Sequence, residues 1–357
     1  MPVPRAERSS AAFCRRMLPK VSRTFALGIE VLPDGLRDAV RTAYLLCRIA
    51  DTIEDDADLA GTEKRRRLAM FVRLLRNRRA GRRAADAFAA ACVGTASVVP
   101  DEAVLLAGAA EVFEELRRLP SEVQGILERR VGELAEGMGE YSARERGRLV
   151  ASIRTVEDLD RYCYYVAGTV GLALTDLFRA YVRGLDAARH RQLEARAVGF
   201  GRGLQMVNIL KDVTKDFARR WVYLPGALLE SHGIDPKRMR PAQVGAAGVR
   251  ALDALVVRAL GYLDEAEEYL RLLPHGARRV RLFCAWPLFF ALKTLSRVRG
   301  NSAVFSSVES GDGPVKISRA DVAAIVRSVR ERVRSNRALH EMYLSLRNEA
   351  APLPVQV

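Results

Sequence analysis

LRDAVRTAYLLCRIADTIEDD, Leu36–Asp56, is the stretch on which the fold turns. Leu36, Val40, Ala43, Cys47 and Ala50 recur at spacings of four and three, as in a helix with one face in a core. Tyr44, Arg48, Asp51 and Asp55 form a second stripe one residue further round, so the acids border the buried seam instead of lying opposite it. Carboxylates in that position need a partner, because an unpaired charge taken out of water is costly. Asp51, Glu54 and Asp55 stand at i, i+3 and i+4 and therefore project from neighbouring turns.

A second segment, NILKDVTKD at Asn208–Asp216, steps Asn208, Asp212 and Asp216 by four. Two such faces opposed across a bundle would make an oxygen-lined pocket for Mg²⁺ ions that keep some waters and share oxygens of a substrate diphosphate. A solvated acidic helix end is the alternative for either segment alone. Two segments of the same kind argue for a diphosphate site.

The other segments are helical in pattern too. Ala, Leu, Arg and Glu dominate at helical spacing, with few strand signals, so an all-α protein is expected. Helices are expected near 8–20, 34–56, 61–80, 100–118, 121–142, 155–181, 184–218, 240–272, 276–298 and 318–347, separated by Pro or Gly breaks. With 357 residues the chain can bury a sizeable core. One domain is expected over 1–357: a core at about 14–298, a Ser- and Gly-rich loop at 300–314 and a last helix at 318–347.

The 58 Lys and Arg against 43 Asp and Glu give a net charge of +15, and only seven of the cations are Lys. Arg65, Arg66, Arg67, Arg73, Arg76, Arg78, Arg79, Arg82 and Arg83 crowd one stretch, which suits a solvated surface, an anionic membrane or nucleic acid. No nucleic-acid motif accompanies the charge, so no nucleic-acid partner is expected. Five cysteines without a C-x-x-C pair and four histidines without ligand spacing point away from zinc and towards free buried thiols in a reducing cytoplasm. The N-terminus carries charges where a signal peptide needs its apolar core, and the longest apolar run, Leu282–Leu292, is too short to span a bilayer.

Taken in order, these segments resemble the squalene and phytoene synthase family, which joins two allylic isoprenoid diphosphates head to head. VSRTF at Val21–Phe25 looks like the family's diphosphate-binding start, and YLLCRIADTIEDD like its first aspartate-rich helix. GMGEY at Gly137–Tyr141 has a family look, RYCYYVAGTVG at Arg161–Gly171 resembles the tyrosine and small-residue helix of the reaction chamber, and GLQMVNILKDVTKDF resembles the second aspartate-rich helix. DTIEDD, the segment RLFCAWPLFFALKTL at Arg281–Leu295 and VKISR at Val315–Arg319 are nearer the squalene synthase branch. One departure stands out: Trp221 occupies the place, five residues after the last motif aspartate, where both branches usually carry an Arg. The chain also ends in APLPVQV without the membrane anchor of eukaryotic squalene synthases, as expected of a soluble bacterial form.

The resemblance implies an isoprenoid-synthase-type helical bundle with a central cavity, an Mg²⁺-dependent prenyltransferase that condenses two farnesyl diphosphates through presqualene diphosphate, and reduction to squalene by NADPH. Dehydrosqualene, phytoene or hydroxysqualene synthesis without hydride transfer is the near alternative, and a non-catalytic basic helical protein the remote one. Asp51, Asp55, Asp212 and Asp216, supported by Glu54 and Asn208, would hold the metal. Ser22, Arg23, Thr24, Arg48, Gln205, Asn208, Lys211, Arg219 and Arg220 would hold diphosphate, the arginines by forked hydrogen bonds. For Arg48 a salt bridge to Asp51 or Asp55 is the alternative. Tyr165 matches the family's first-step tyrosine, with Tyr162 the nearest substitute, Tyr44 a further phenol and Phe283 an aromatic wall for the cation. No dinucleotide fingerprint is present, so NADPH, placed beside Asn208 and Lys211, rests on the resemblance alone. The protein is expected to be a cytoplasmic monomer that touches the inner face of an anionic membrane peripherally.

Overall fold

The computed structural model describes residues 5–92, 98–144, 153–219, 221–306 and 315–350, and among them every regular element is helical. The all-α expectation holds. Two compact units are distinguished, one from the described parts of Met1–Glu145 with Leu172–Arg183, the other from those of Arg146–Gly171 with Gly184–Val357.

The first unit begins with α1 (Arg5–Val21), α2 (Arg23–Val31), α3 (Asp34–Glu54) and α4 (Gly61–Arg76), followed by α5 (Arg82–Cys92), α6 (Pro100–Ala107), α7 (Ala109–Arg118) and α8 (Ser121–Ser142). α3 is its axis, packing on α4, α6, α7 and α8. The predicted stripe explains this: Leu36, Val40, Ala43 and Ala50 are buried, and Cys47 is half-buried. Beside it the rings of Phe71, Phe88 and Phe113 meet pairwise at 5.7 to 6.3 Å. Five of the nine arginines in the Arg-rich stretch are ion-paired. Arg66 and Arg67 pair with Glu63, Arg76 with Glu136, Arg78 with Glu128, and Arg82 with Glu111 and Glu114.

The second unit takes in α9 (Val156–Cys163), a π turn (Tyr164–Gly168) and the start of α10 (Thr169–Tyr181), whose remainder belongs to the first unit. There follow α11 (Ala187–Lys211), α12 (Val213–Ala218), α13 (Gly226–Ser231), α14 (Gly245–Leu272), α15 (Arg278–Val298), α16 (Arg319–Arg332) and α17 (Asn336–Ala350). α11 lies along α14 and also meets α15 and the π turn. It approaches the π turn backbone to backbone, because a side chain at Gly201 would collide with the Ala167 carbonyl. Arg281, fully enclosed, is satisfied without a carboxylate. It donates to the carbonyls of Leu270, Leu273 and Val333 and to Asn336 Oδ1, the negative ends of α14 and α16.

Several boundaries differ from the sequence reading. α2, α5 and α13 are additional helices in stretches read as breaks. The expected 100–118 helix divides at Gly108, where the Phe13 ring occupies the space a side chain would need. The last helix is two, α16 and α17, because Arg281 takes the Val333 carbonyl and Ser335 Oγ accepts the N–H of Ala338 at the second start. Part of the loop expected at 300–314 lies outside the described residues; Ser302–Phe305 forms a 3₁₀ turn that buries Val304 and Phe305. Among the described residues no helix is long and apolar enough to cross a membrane.

Candidate active site

In the first unit the chain leaves α1 at Val21 and re-enters helix at Arg23. Ser22 is extended and caps α2, its Oγ accepting the N–H of Phe25 at 3.1 Å. The first-turn N–H groups of α2 therefore form a positive end, with Thr24 exposed beside it. Tyr44 is half-buried, its ring 5.8 Å from Phe25 and its hydroxyl 3.5 Å from the Val21 carbonyl. Burial pushes this phenol up to about 12, against the pull of Ser22 and Arg48, so it remains a donor at neutral pH.

One turn on, the Arg48 guanidinium meets Asp51 Oδ2 at 3.4 Å and also Glu102 of α6. Burial alone would lower this guanidinium, but Asp51 and Glu102 more than reverse that. Asp55 follows Asp51 by one turn, its N–H donating to the Asp51 carbonyl at 2.7 Å. Although 33% of the Asp51 side chain is open, the enclosing protein pushes its carboxyl up to about 6, Arg48 pulling it down and Asp55 and Glu102 pushing it up. Asp51 and Glu102 thus share Arg48, with Asp55 close enough to feel it, and carboxylates so placed are of the kind that share Mg²⁺ with phosphate oxygens. Glu54 is more enclosed, at 3% exposure, than either aspartate. Glu102 was not singled out from the sequence. As an acid in the first turn of a helix it reads there as an ordinary dipole partner.

The second acidic segment is not one helix. α11 ends at Lys211, and Asp212 (φ −106°, ψ 17°) joins it to α12. The one-turn spacing survives the break, since the N–H of Asp212 donates to the Asn208 carbonyl at 3.1 Å and that of Asp216 to the Asp212 carbonyl at 2.9 Å. Lys211 is ion-paired with Asp212; Asn208 is exposed, and Gln205, Asp216 and Arg219 are half-buried. Arg220, and the side chain of Arg23, lie outside what is described. Among the described residues no three His, Cys, Asp or Glu side chains form a ready metal cage.

Trp221 is buried and donates its N–H to the Asp216 carbonyl at 2.9 Å. Its ring stacks on Tyr223 at 5.6 Å, and Tyr223 stacks on Tyr162 at 4.9 Å, the two phenols hydrogen-bonded at 3.0 Å. A cavity of about 10 Å³, room for about one water, adjoins Asp216, Trp221 and Tyr223. The buried Tyr162 thus belongs to an aromatic ladder. Tyr165 is half-buried in the π turn, in edge contact with Tyr164 at 5.5 Å. Phe283, Phe289 and Phe290 are buried on α15. Of the two residues beside which NADPH is expected, Asn208 is exposed and Lys211 is engaged by Asp212.

The squalene/phytoene synthase family profile matches residues 18–321, and the chain belongs to that family. A squalene synthase of Eremothecium gossypii is 29% identical over 294 residues, 82% of this chain and 63% of that protein. A squalene synthase of Botryococcus braunii is 30% identical over 340 residues, 94% of this chain and 66% of that protein. The chain thus spans less than two thirds of the length of these two relatives. Among solved structures, a TcSQS complex with the ligand BPH1237 superposes with a TM-score of 0.76 at 28% identity, covering 96% of this chain and 97% of that one. A dehydrosqualene synthase structure shares the fold at a TM-score of 0.64 and 21% identity.

Proposed function

We propose that this chain is a squalene synthase-like prenyltransferase that condenses two farnesyl diphosphates head to head through presqualene diphosphate. The observation that carries this reading is the cluster of Asp51, Asp55 and Glu102 around Arg48, near the start of α2, in a family of diphosphate-using synthases. Arg48 and the first-turn N–H groups of α2 would hold diphosphate oxygens, with the Thr24 hydroxyl as an added donor. Tyr44, kept protonated by burial, can donate to a leaving oxygen. Mg²⁺ held by Asp51 and Asp55 would supply the positive charge that stabilises the leaving diphosphate. In the second unit Asp212 and Asp216 would serve a metal ion in the same way, and the buried aromatics of α15 would keep water from a carbocation.

Reduction by NADPH belongs to this reading through the likeness to squalene synthases; no step is assigned to Asn208 or Lys211. A cytoplasmic site of action and contact with an anionic membrane are also part of the proposal, although the pairing of Arg76, Arg78 and Arg82 leaves less free charge than the sequence suggests. The decisive experiment is incubation with farnesyl diphosphate and Mg²⁺, with and without NADPH, followed by mass identification of products. Presqualene diphosphate without NADPH and squalene with it are expected. A product spectrum indifferent to NADPH moves the reading to dehydrosqualene, phytoene or hydroxysqualene synthesis, and no metal-dependent consumption of substrate overturns it.

A further inference from the structure

We propose that Arg202 is a positioning residue: by holding Tyr164 it sets the π turn Tyr164–Gly168 and with it the direction of the Tyr165 phenol. The inference rests on the proposed function in taking Tyr165 as a working residue. It starts from the backbone. A π turn carries one residue more than the α-helical register, which rotates the residues downstream of it by roughly 100°. Tyr165 lies inside the turn, at the joint where the registers of α9 and α10 part, so its direction depends on how the turn is held. Such turns are rare because they are poor on their own, so something outside the turn must hold this one.

The register changes at a definite place. Tyr164 N–H still donates to the Asp160 carbonyl in the α-helical manner, while Thr169 N–H donates to the Tyr164 carbonyl, one residue longer. Arg202 Nε donates to that same Asp160 carbonyl at 3.1 Å. Its guanidinium carbon lies 5.9 Å from the ring centre of Tyr164 and 5.9 Å from that of Tyr262, within cation–π range of both. Asp160 is itself anchored, its carboxylate taken by both forks of Arg258, Nε at 3.1 Å. Gly201, next to Arg202, lets α11 come against the Ala167 carbonyl at the other end of the turn. Tyr164 then meets Tyr165 edge-on at 5.5 Å. The chain of contacts runs from α14 through Arg258, Asp160 and Arg202 to Tyr164 and ends on Tyr165. Arg202 itself is two contacts from the phenol, which makes it a positioning group and not a catalytic one.

The test is a double-mutant cycle on the full chain, Arg202→Gln and Tyr165→Phe singly and together, read as pyrophosphate release from farnesyl diphosphate. Arg202→Gln should lower kcat by roughly 10-fold or more, with KM within about twofold, since misplacement of a working group costs turnover more than binding. In the Tyr165→Phe background the same change should cost less than about twofold, because two residues acting through one group are not additive. Equal losses in both backgrounds overturn the proposal. A second readout does not need turnover: 3-fluorotyrosine at position 165 should shift its ¹⁹F resonance on Arg202→Gln, whereas the same label at position 44 should not. An unmoved resonance at 165 overturns the proposal even if the wild-type protein releases no pyrophosphate, the result that would instead overturn the proposed function.

Discussion

Asp51 and Asp55 lie one turn apart at the end of an unbroken helix of 21 residues, whereas Asp212 is itself the joint between α11 and α12 and Asp216 lies on α12. The sequence spacing is the same, but the charge around it is not. Asp51 and Glu102 share Arg48, and the Asp51 carboxyl is pushed up to about 6 by burial first, with Arg48 pulling it down and Asp55 and Glu102 pushing it up. At the other pair Lys211 already sits on Asp212. Equal spacing places carboxylates relative to each other; the groups that neutralise them arrive from elsewhere in the fold. Asp51 is pushed by its surroundings towards its protonated form, and a cation beside it would relieve that push.

The strongest way to break this comparison is to remove one ligand from each pair. Asp51→Asn and Asp212→Asn should each lower turnover by roughly 10²-fold or more, as expected when a charge that stabilises the leaving group is lost. Asp51→Asn should raise the Mg²⁺ concentration for half-maximal rate further than Asp212→Asn does. Near-wild-type rates in both variants, with Mg²⁺ still required, would sink the metal assignment.

A smaller effect should separate the two cations. Arg48→Gln leaves Asp51 and Glu102 facing each other, partly buried, and should destabilise the chelator-treated protein by about 2–3 kcal/mol. Lys211→Gln removes a pair of similar enclosure, but Lys211 is ion-paired with Asp212 where Arg48 serves both Asp51 and Glu102, so the change should cost less, about 1 kcal/mol. Urea denaturation of both variants measures the difference; equal costs would mean that the surroundings of the two pairs are energetically alike.

The smallest effect is on pH dependence. In chelator-treated protein the raised Asp51 carboxyl binds its proton more tightly in the folded chain than in the unfolded one. Its contribution is then most favourable below the ordinary aspartate range, near pH 4, and is lost as pH rises through about 6. With a third of the side chain open, about 1 kcal/mol is at stake over that window. Asp51→Asn should flatten the stability profile between those pH values, and Asp212→Asn should leave it in place. An unchanged slope in Asp51→Asn would show that another group is responsible.

How much was legible varies residue by residue. The stripe from Leu36 to Ala50 and the acids beside it could be read because they lie within one helix, where periodicity is a property of neighbours along the chain. The salt bridge between Arg48 and Asp51 is legible as an alternative for the same reason. Glu102 was invisible, since it meets Arg48 from 54 residues away. The pairing of Arg76 with Glu136 and of Arg78 with Glu128 was equally hidden, and without it the basic stretch reads as more open charge than it is. Tyr162 reads in RYCYYVAG as the nearest substitute for Tyr165, yet Tyr165 is half-buried in the π turn while Tyr162, in α9, is buried and bonded to Tyr223.

By itself the sequence determined the all-α class, the family through its ordered motifs, and which carboxylates stand one turn apart. These are short-range matters, settled by helical geometry and residue type. The tertiary structure alone decided how the π turn at Tyr165 is held, the Trp221–Tyr223–Tyr162 ladder and the clustering of Glu102 with Arg48 and Asp51. Each of these depends on groups far apart in the chain being brought into contact, and a carboxylate's charge environment is the sum of everything packed around it.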